Sequence, residues 1–253
     1  MPPVLELDAL TVRYRLRAAV RELSLSVAPG EIYALLGPNG AGKTTTLKTI
    51  VNLRPPSAGT VRVLGVDSRR LGPRELARIA YVSENQRLPV TVTVGQLEAF
   101  CRSWYPTWDR ALADELRARL AIDPRTYLPM LSRGTRLKVA FLLALAPRPR
   151  LLVLDEPFSG LDPLVRDDVA AALLDVTRRE GSSVIVSSHE MDDLERLVDR
   201  VGFLYEGRLL VDEPLTGLLA RYAGREGRPV SLRGVFVSMA RERAAMTAPG
   251  AVR

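Results

Sequence analysis

Cysteine and long apolar runs are almost absent from this chain of 253 residues. Its one cysteine, Cys101, cannot form a disulfide within the chain, which is typical of a reducing compartment such as the cytoplasm, and we expect it to be a small buried residue. The longest uninterrupted apolar run, residues 139–146, is far shorter than the roughly 18 residues that a membrane-spanning helix requires. The first residues also lack the basic head and apolar core of a signal peptide. The sequence therefore predicts a chain with neither a membrane span nor a secretion signal.

The overall composition is that of an ordinary globular protein. Hydrophobic residues make up 47% of the chain and charged residues 26%, which excludes a disordered or collagen-like protein. The length is enough for one large domain or two modest ones.

The charge balance is basic. The net charge is +7, and of the 36 Lys and Arg residues only Lys43, Lys48 and Lys138 are lysines, so 33 are arginines. Such a balance suits a nucleic acid, an anionic membrane surface or an anionic ligand as partner. Composition by itself leaves all three open, together with a solvated surface that has no partner.

The first third of the sequence predicts short strands followed by a glycine loop and a helix. Residues 4–8 and 23–27 alternate apolar with polar side chains, and residues 32–36 form an apolar run. A glycine-rich segment and a helical pattern over residues 44–52 follow, and a further strand is predicted over residues 60–64.

The middle of the chain predicts an inserted all-helical subdomain, whereas the last third returns to strands alternating with helices. Three segments carry helix-period apolar residues and are separated by prolines: residues 94–103, 109–120 and 132–146. Apolar strands alternating with helices favour a parallel sheet that is covered on both faces. In the last third, strands are predicted over residues 151–154, 184–186 and 201–205, a helix over residues 163–179, and a short helix after Glu190. After about residue 221 the periodicity is weak.

The most specific motif spans residues 37–44, Gly-Pro-Asn-Gly-Ala-Gly-Lys-Thr, and fits the pattern G-x-x-x-x-G-K-S/T at a strand-to-helix junction. Glycines let successive backbone N–H groups point at one anion, and the helix N-terminus adds partial positive charge. We expect Lys43 to reach the β- and γ-phosphates of a nucleotide and Thr44 to bind Mg²⁺. The nucleotide-contacting residues predicted in this loop are Gly37, Asn39, Gly40, Gly42, Lys43, Thr44 and Thr45.

A second motif supplies the carboxylates that phosphoryl transfer requires. Four apolar residues, 151–154, end in Asp155 and Glu156. We expect Asp155 to support Mg²⁺ and Glu156 to be the general base toward the attacking water. His189 closes another predicted strand, where an imidazole could touch the γ-phosphate; a helix-capping or surface histidine is the alternative.

Together with these motifs, Leu131-Ser132-Arg133-Gly134-Thr135 resembles the Leu-Ser-Gly-Gly-Gln signature of the ATP-binding-cassette (ABC) ATPases. The resemblance covers about residues 4–220 and includes Ser159-Gly160-Leu161-Asp162-Pro163, which is similar to the family's dimer-contacting Asp loop. It implies that Tyr14 stacks on adenine and that His189 is the switch histidine.

The resemblance implies a fold and a domain organisation. The expected fold is an α/β, RecA-like nucleotide-binding core with an N-terminal antiparallel β subdomain and the helical subdomain inserted at about residues 87–147. The nucleotide-binding domain would comprise residues 1–220, with residues 221–253 as a C-terminal extension of uncertain structure.

It also implies a mechanism in which two such domains bind head to tail and sandwich two ATP molecules. Ser132 and Gly134 would then contact the ATP held by the other domain. Two departures from the family pattern stand out: Arg133 and Thr135 in the signature, and the glutamine-loop position, where Glu84 takes the expected place and Gln86 follows two residues later. Either Glu84 or Gln86 is a candidate Mg²⁺ partner, and glutamate here resembles a variation in cassettes that serve exporters.

The resemblance favours an ATP-hydrolysing subunit that drives a membrane transporter, most similar to bacterial exporter cassettes whose permease is a separate chain. It would lie on the cytoplasmic face of the membrane, bind ATP and Mg²⁺, pair with a second nucleotide-binding domain, and need no nucleic acid. The insertion and residues 84–88 would dock the permease; Trp104, Tyr105 and Trp108 could contribute to that contact or simply form the core of the insertion. The alternatives are a soluble cassette ATPase acting on ribosomes or DNA, and a nucleotide sensor without turnover.

Overall fold

The computed structural model describes residues 1–15, 17–84, 86, 88–189, 194–226 and 230–247. The strands of this part of the chain are β1 (Leu5–Tyr14), β2 (Arg17–Val27), β3 (Ile32–Leu36), β4 (Ala58–Val63), β5 (Val66–Asp67), β6 (Ile79–Ser83), β7 (Leu151–Asp155), β8 (Ser183–Ser188), β9 (Arg200–Tyr205) and β10 (Arg208–Pro214). The α-helices are α1 (Lys43–Ile50), α2 (Pro73–Leu76), α3 (Val94–Trp104), α4 (Arg110–Arg119), α5 (Arg133–Leu145), α6 (Pro163–Glu180), α7 (Leu215–Glu226) and α8 (Leu232–Thr247). Short 3₁₀ turns occur at Ser68–Arg70 and Leu128–Met130.

An antiparallel sheet in the order β2-β1-β4-β5 forms the N-terminal part of the fold. The alternation at the start of β1 places Leu5 and Leu7 in the core and Glu6 and Asp8 in solvent, as a sheet with one buried face requires. The register between β1 and β2 shifts after Leu7, which interrupts the alternation of apolar and polar residues. The strand itself continues to Tyr14, well beyond the segment that the alternation predicted. The predicted antiparallel subdomain is confirmed.

The second sheet has the order β10-β9-β3-β8-β7-β6. Strands β9, β3, β8, β7 and β6 pair in parallel, and every residue of β3, β7 and β8 is buried. Near-continuous apolar runs are what a parallel sheet covered on both faces requires, so the predicted parallel core is confirmed. The edge strand β10 pairs antiparallel with β9 and was not predicted, because its apolar run is only three residues long and most of its residues are half-buried.

Helices α3, α4 and α5 occupy the chain between β6 and β7, where the sequence predicts the helical insertion. Each begins at a capping side chain: Thr93, Asp109 and Ser132 accept hydrogen bonds from backbone N–H groups of the first turn. Leu116 and Phe141 are among the buried residues that join the insertion to the main core. Spacing of apolar residues and caps together explain why the helix bounds were predicted within about two residues.

The aromatic residues of the insertion do not share one environment. Trp104 is 70% exposed, with its ring centroid 6.2 Å from that of Phe100, which is 61% exposed. Tyr105 and Trp108 are half-buried, and Trp108 packs against the core. A core role therefore fits Trp108, whereas Trp104 lies on the surface.

Cys101 is half-buried beside the same core rather than fully buried. Burial, and to a smaller extent Glu98, raises the pKa of its thiol. The thiol is therefore less ionised at neutral pH than that of a free cysteine, which suits the small apolar role expected of it.

The C-terminal part packs onto the same core. Helix α7 runs across residue 220, where the sequence suggested a domain boundary. Leu232 and Val235 at the start of α8 are fully buried, and Phe236 stacks on Phe203 of β9 with ring centroids 5.6 Å apart. Of the short helix predicted after Glu190, residues 190–193 lie outside the described part and residues 194–197 form turns. Within the described ranges, no helix combines the length and apolar character needed to span a bilayer.

Candidate nucleotide-binding and hydrolysis site

The predicted site residues converge at the carboxyl ends of three adjacent parallel strands. The order β3-β8-β7 places the loop after β3, His189 after β8 and Glu156 after β7 next to one another. Ligands of parallel α/β sheets bind at this edge. Residues 146 positions apart, from Lys43 to His189, thus form one cluster.

The phosphate loop is built around glycines that no other residue could replace without movement. Gly42 precedes α1 with φ +109°, and a Cβ there would lie 2.4 Å from the carbonyl oxygen of Ala19. Gly37 is similarly restricted, since a Cβ would lie 2.2 Å from the carbonyl oxygen of Leu204. Asn39 and Gly40 lie exposed at the loop's surface. The glycines therefore fix the path of the loop as well as leaving its N–H groups accessible.

Replacing Gly42 with alanine is expected to destabilise the fold by at least about 1–2 kcal/mol, because the left-handed backbone penalty alone is of that order. Contact with the Ala19 backbone adds to it. Gly224→Ala is the matched control: Gly224 is an exposed residue of α7 with nothing within 4 Å of an added Cβ. That substitution should stabilise by about 0.5–1 kcal/mol through helix propensity. Urea unfolding measures both, and equal shifts of the same sign would contradict the assignment.

Lys43 is buried and has its charge neutralised within the chain. The residue is 5% exposed, and its Nζ lies 2.6 Å from the carbonyl oxygen of Gly37, to which it donates, and 3.0 Å from Oε1 of Glu156. A buried cation requires both a counter-charge and hydrogen-bond acceptors, and this arrangement supplies both. Lys43 is thus held at the mouth of the phosphate loop.

Glu156 connects Lys43 to the histidine. Its other oxygen, Oε2, lies 2.8 Å from Nδ1 of His189 and accepts a hydrogen bond of 3.2 Å from that residue's backbone N–H. Its own N–H donates to Ser187 Oγ at 3.0 Å, and its φ of +50° turns the chain sharply at the end of β7. The side chain is 12% exposed, so a few contacts fix the carboxylate at the strand end.

Asp155 lies one residue earlier and is also buried. Thr44 Oγ1 and Ser187 Oγ each donate to its Oδ1 at 2.9 Å, and the hydroxyl of Tyr81 lies 3.4 Å from Oδ2. Burial, reinforced by Asp155, raises the pKa of Tyr81 to about 12, so Tyr81 stays a hydrogen-bond donor at neutral pH. The Thr44 hydroxyl and the Asp155 carboxylate are hard oxygen donors, which fit Mg²⁺.

The two candidates for the glutamine-loop position are in different surroundings. The backbone N–H of Glu84 donates to the carbonyl of Asp155 at 3.0 Å, and Glu84 lines a cleft of about 90 Å³ together with Thr44 and Asp155. Gln86 is exposed and lines only the adjoining, larger groove, which Glu84 borders as well. The Glu84 carboxylate is paired with Arg133, with Oε1 and Nη2 2.6 Å apart.

The signature residues lie outside this cluster. Ser132 caps α5 by accepting a hydrogen bond of 3.1 Å from the Thr135 N–H, and Gly134 packs closely on Val165, at 3.1 Å from an added Cβ. In the described part of the chain, no hydrogen bond joins either residue to Lys43 or Glu156. One chain therefore brings together the phosphate loop, the carboxylates and His189, but not the signature.

Tyr14 has one ring face occupied by a residue that the sequence did not indicate. The Arg54 guanidinium lies 3.7 Å from the centroid of the ring, and Arg54 Nη2 donates to the Arg13 carbonyl. Tyr14 remains 43% exposed. Thr45, the last loop residue predicted to touch phosphate, is half-buried in the first turn of α1, where its carbonyl accepts from Thr49 Oγ1.

Sequence reasoning also missed Ser187 and Tyr81. Ser187 lies in a predicted strand, and its hydroxyl contacts both Asp155 and Glu156. A polar residue at the carboxyl end of a buried strand next to the phosphate-loop strand is a usable signal, but only when the strand order is known. Tyr81 belongs to β6, which becomes part of the site through pairing with β7.

Comparisons with known proteins agree with this geometry. The family model described as "ABC transporter" matches residues 20–159. The chain is 32% identical over 206 residues to the ABC transporter ATP-binding protein YtrB of Bacillus subtilis, covering 81% of this chain and 70% of that protein. It is 33% identical over 231 residues to the Nod factor export ATP-binding protein I of Paraburkholderia xenovorans, covering 87% of this chain and 74% of that protein.

A solved structure titled as an ATP-binding subunit of an ABC transporter superposes with a TM-score of 0.83 at 25% identity, covering 94% of this chain and 99% of the other. Fold, site geometry and relatives agree with one another. The chain belongs to the ABC transporter family, as an ATP-binding subunit with the ATPase chemistry of that family.

Proposed function

We propose that this chain hydrolyses Mg·ATP to power an exporter whose membrane-spanning permease is a separate chain. The observation that carries the proposal is the cluster in which Glu156 contacts both Lys43 and His189. A base candidate in contact with both a phosphate-binding lysine and an imidazole is what ATP hydrolysis needs and a nucleotide sensor does not.

Each residue of the cluster has a proposed role. Lys43 binds the β- and γ-phosphates together with the loop N–H groups, Glu156 takes a proton from the attacking water, and His189 orients Glu156 and contacts the γ-phosphate. The Ser187 hydroxyl accepts a hydrogen bond from the backbone N–H of Glu156 and donates one to the carboxylate of Asp155, so it holds both residues in place. Tyr14 provides the surface for adenine on the ring face away from Arg54.

Thr44 and Asp155 are the proposed holders of Mg²⁺, with Glu84 rather than Gln86 as the third residue. When bound, the ion neutralises charge on the transferred phosphate. Glu84 is favoured because it lines the cleft of Thr44 and Asp155, whereas Gln86 lines only the larger groove beside it. Few protein ligands suffice, since Mg²⁺ keeps waters and phosphate oxygens in its shell.

The position of Ser132 and Gly134 outside the cluster supports a head-to-tail dimer. A second cassette would present its bound ATP to the start of α5, where unpaired backbone N–H groups and the Ser132 hydroxyl favour an anion. Both sites of such a dimer are equivalent in a homodimer, as two-fold symmetry requires.

A groove of about 810 Å³ between the parallel sheet and the insertion is the proposed permease-docking surface. Its apolar lining includes Leu88, Pro89, Val90 and Leu137, beside charged residues such as Glu84 and Arg133. Val90 is 72% exposed, which leaves an apolar side chain available to a partner. The groove borders Glu84, so a segment of permease seated there contacts the chain directly beside the proposed metal site.

Export is supported by the relative named for Nod factor export and by the glutamate at the glutamine-loop position. A peripheral position on the cytoplasmic face follows from a separate permease that carries the membrane spans.

The test is purification of the affinity-tagged chain from native membranes of its source cells, with its partners identified by mass spectrometry. We expect a multi-span membrane protein at a stoichiometry near one to one. Val90→Asp should remove it from the complex, because the permease would have to bury a charged carboxylate in place of an exposed apolar side chain.

Val237→Asp is the matched control, since Val237 is an exposed apolar residue of α8 and lies outside the groove. This variant should retain the membrane protein. Recovery of ribosomes or DNA in place of a membrane protein would overturn the proposal in favour of a soluble cassette ATPase. Equal loss of the partner in both variants would overturn the docking surface.

A further inference from the structure

Arg133 connects three segments that lie beside the proposed metal site: the start of α5, the segment after β6 and the loop before α6. Its Nη2 lies 2.6 Å from Oε1 of Glu84, in the segment after β6. Its guanidinium also covers Gly160, in the loop before α6, where a Cβ would lie only 2.6 Å from Nη1. Since Arg133 is the first residue of α5, one side chain ties the start of that helix to two loops that follow core strands.

The ion pair is exposed and therefore easily exchanged. The Arg133 and Glu84 side chains are 53% and 34% exposed, respectively. Exposed pairs contribute little net stability, because water competes for both charges. A stronger competitor for either partner would separate them.

Glu84 has such a competitor beside it. It lines the same cleft as Thr44 and Asp155, and its backbone is bonded to the carbonyl of Asp155. A divalent cation held by Thr44 and Asp155 would be the largest local charge in that cleft and would attract a nearby carboxylate more strongly than an exposed guanidinium does.

We propose that Arg133 is a positioning residue that ties the placement of α5 to metal occupancy: it holds Glu84 when the cleft contains no Mg²⁺ and releases it when Glu84 turns toward bound Mg²⁺. This inference rests on the proposed function of the site. Release frees the start of α5, and with it Ser132 and Gly134, from the loop after β6. The glutamate at position 84 and the arginine at position 133, which both depart from the family pattern, then act as a pair.

The test measures the Mg²⁺ dependence of nucleotide binding rather than turnover. All variants carry Glu156→Gln, and fluorescent ATP-analogue binding is titrated with Mg²⁺ at equilibrium. Removing the competing guanidinium in Arg133→Gln should lower the Mg²⁺ concentration at half-saturation by about two- to fivefold, the range expected for an exposed ion pair. In a Glu84→Ala background, Arg133→Gln should cause no shift.

A structural readout accompanies the titration. Hydrogen exchange at the backbone amides of residues 133–137 is measured without metal or nucleotide, so that no ATP-bound dimer covers the start of α5, and it should be slow in the parent. In Arg133→Gln it should already be fast without metal, since the tie to Glu84 is gone.

Arg136→Gln is the matched control. Arg136 is an exposed arginine one turn further along α5, and within the described residues it makes no ion pair. Its substitution should leave both readouts unchanged. The inference is overturned if Arg133→Gln leaves the Mg²⁺ midpoint unchanged, or if its shift persists without Glu84. Failure of the proposed function is a different result, namely no Mg·ATP binding by the parent.

Discussion

Glu156→Gln is expected to slow ATP hydrolysis by about 10²- to 10⁴-fold, the usual contribution of a general base, while nucleotide binding is retained. The Glu156 carboxylate is nearly buried at the end of β7 and is oriented by His189 and Ser187. A glutamine fits the same space and keeps hydrogen-bonding atoms, but it cannot accept the proton of water. Since the phosphate loop, Ser132 and Gly134 are untouched, the variant should accumulate as an ATP-bound dimer.

Steady-state phosphate release and size-exclusion chromatography with ATP measure the two effects. Glu6→Gln is the control, because Glu6 is an exposed residue of β1 remote from the sheet edge that forms the site. It should retain the parental rate and oligomeric response. Turnover at the parental rate in Glu156→Gln would show that Glu156 is not the base. A monomer in the presence of ATP, both alone and after addition of the purified permease complex, would contradict the trapped dimer.

Lys43→Ala is expected to weaken ATP binding and lower kcat/KM by at least about 10²-fold, because bonds from a charged donor contribute about 1.5–3 kcal/mol each and Lys43 serves two phosphates. The substitution has a second effect. It leaves Glu156 nearly buried without its cation, which further disturbs the position of the base.

Equilibrium binding of labelled ATP and the initial rate of hydrolysis test this prediction. The chain contains two other lysines, and Lys138→Ala is the control, since Lys138 pairs with Asp168 at 3.5 Å, away from the phosphate loop. We expect the control to bind and hydrolyse ATP within about twofold of the parent, because Lys138 contacts neither the phosphate loop nor Glu156 in the described part of the chain. Hydrolysis by Lys43→Ala at the parental rate would exclude the phosphate loop as the catalytic site.

The parts of the site that the sequence predicted are those whose chemistry is contained in a short segment. Gly42, Lys43 and Thr44 need only a strand before them and a helix after them to reach a phosphate, and both elements have strong local patterns. Asp155 and Glu156 are similar, because a fully apolar run must end where the sheet ends. The order of the strands then brings the two motifs together, as the fold class implies.

The parts that the sequence did not predict depend on contacts between distant segments. Arg54 reaches Tyr14 from 40 positions away, and Arg133 reaches Glu84 from 49 positions away. Arg54 is not distinguishable from the other 32 arginines of the sequence, and Arg133 stands out only by its place in the signature, which does not indicate a contact with Glu84. Helix α8 was missed for a related reason: Leu232, Val235 and Phe236 pack on the core, but the exposed Val237 beside them weakens the helical periodicity of the pattern.

The contact between Lys43 and Glu156 has a consequence for affinity. The Glu156 carboxylate is paired with the ammonium group to which a nucleotide phosphate must bind. Glu156 Oε1 lies 3.0 Å from Lys43 Nζ, and both side chains are nearly buried. Glu156 is therefore an internal competitor of the nucleotide, and ATP must displace it before Lys43 can serve the phosphates. Part of the tight nucleotide binding expected of Glu156→Gln then comes from the loss of this competition, and only the remainder from the loss of turnover.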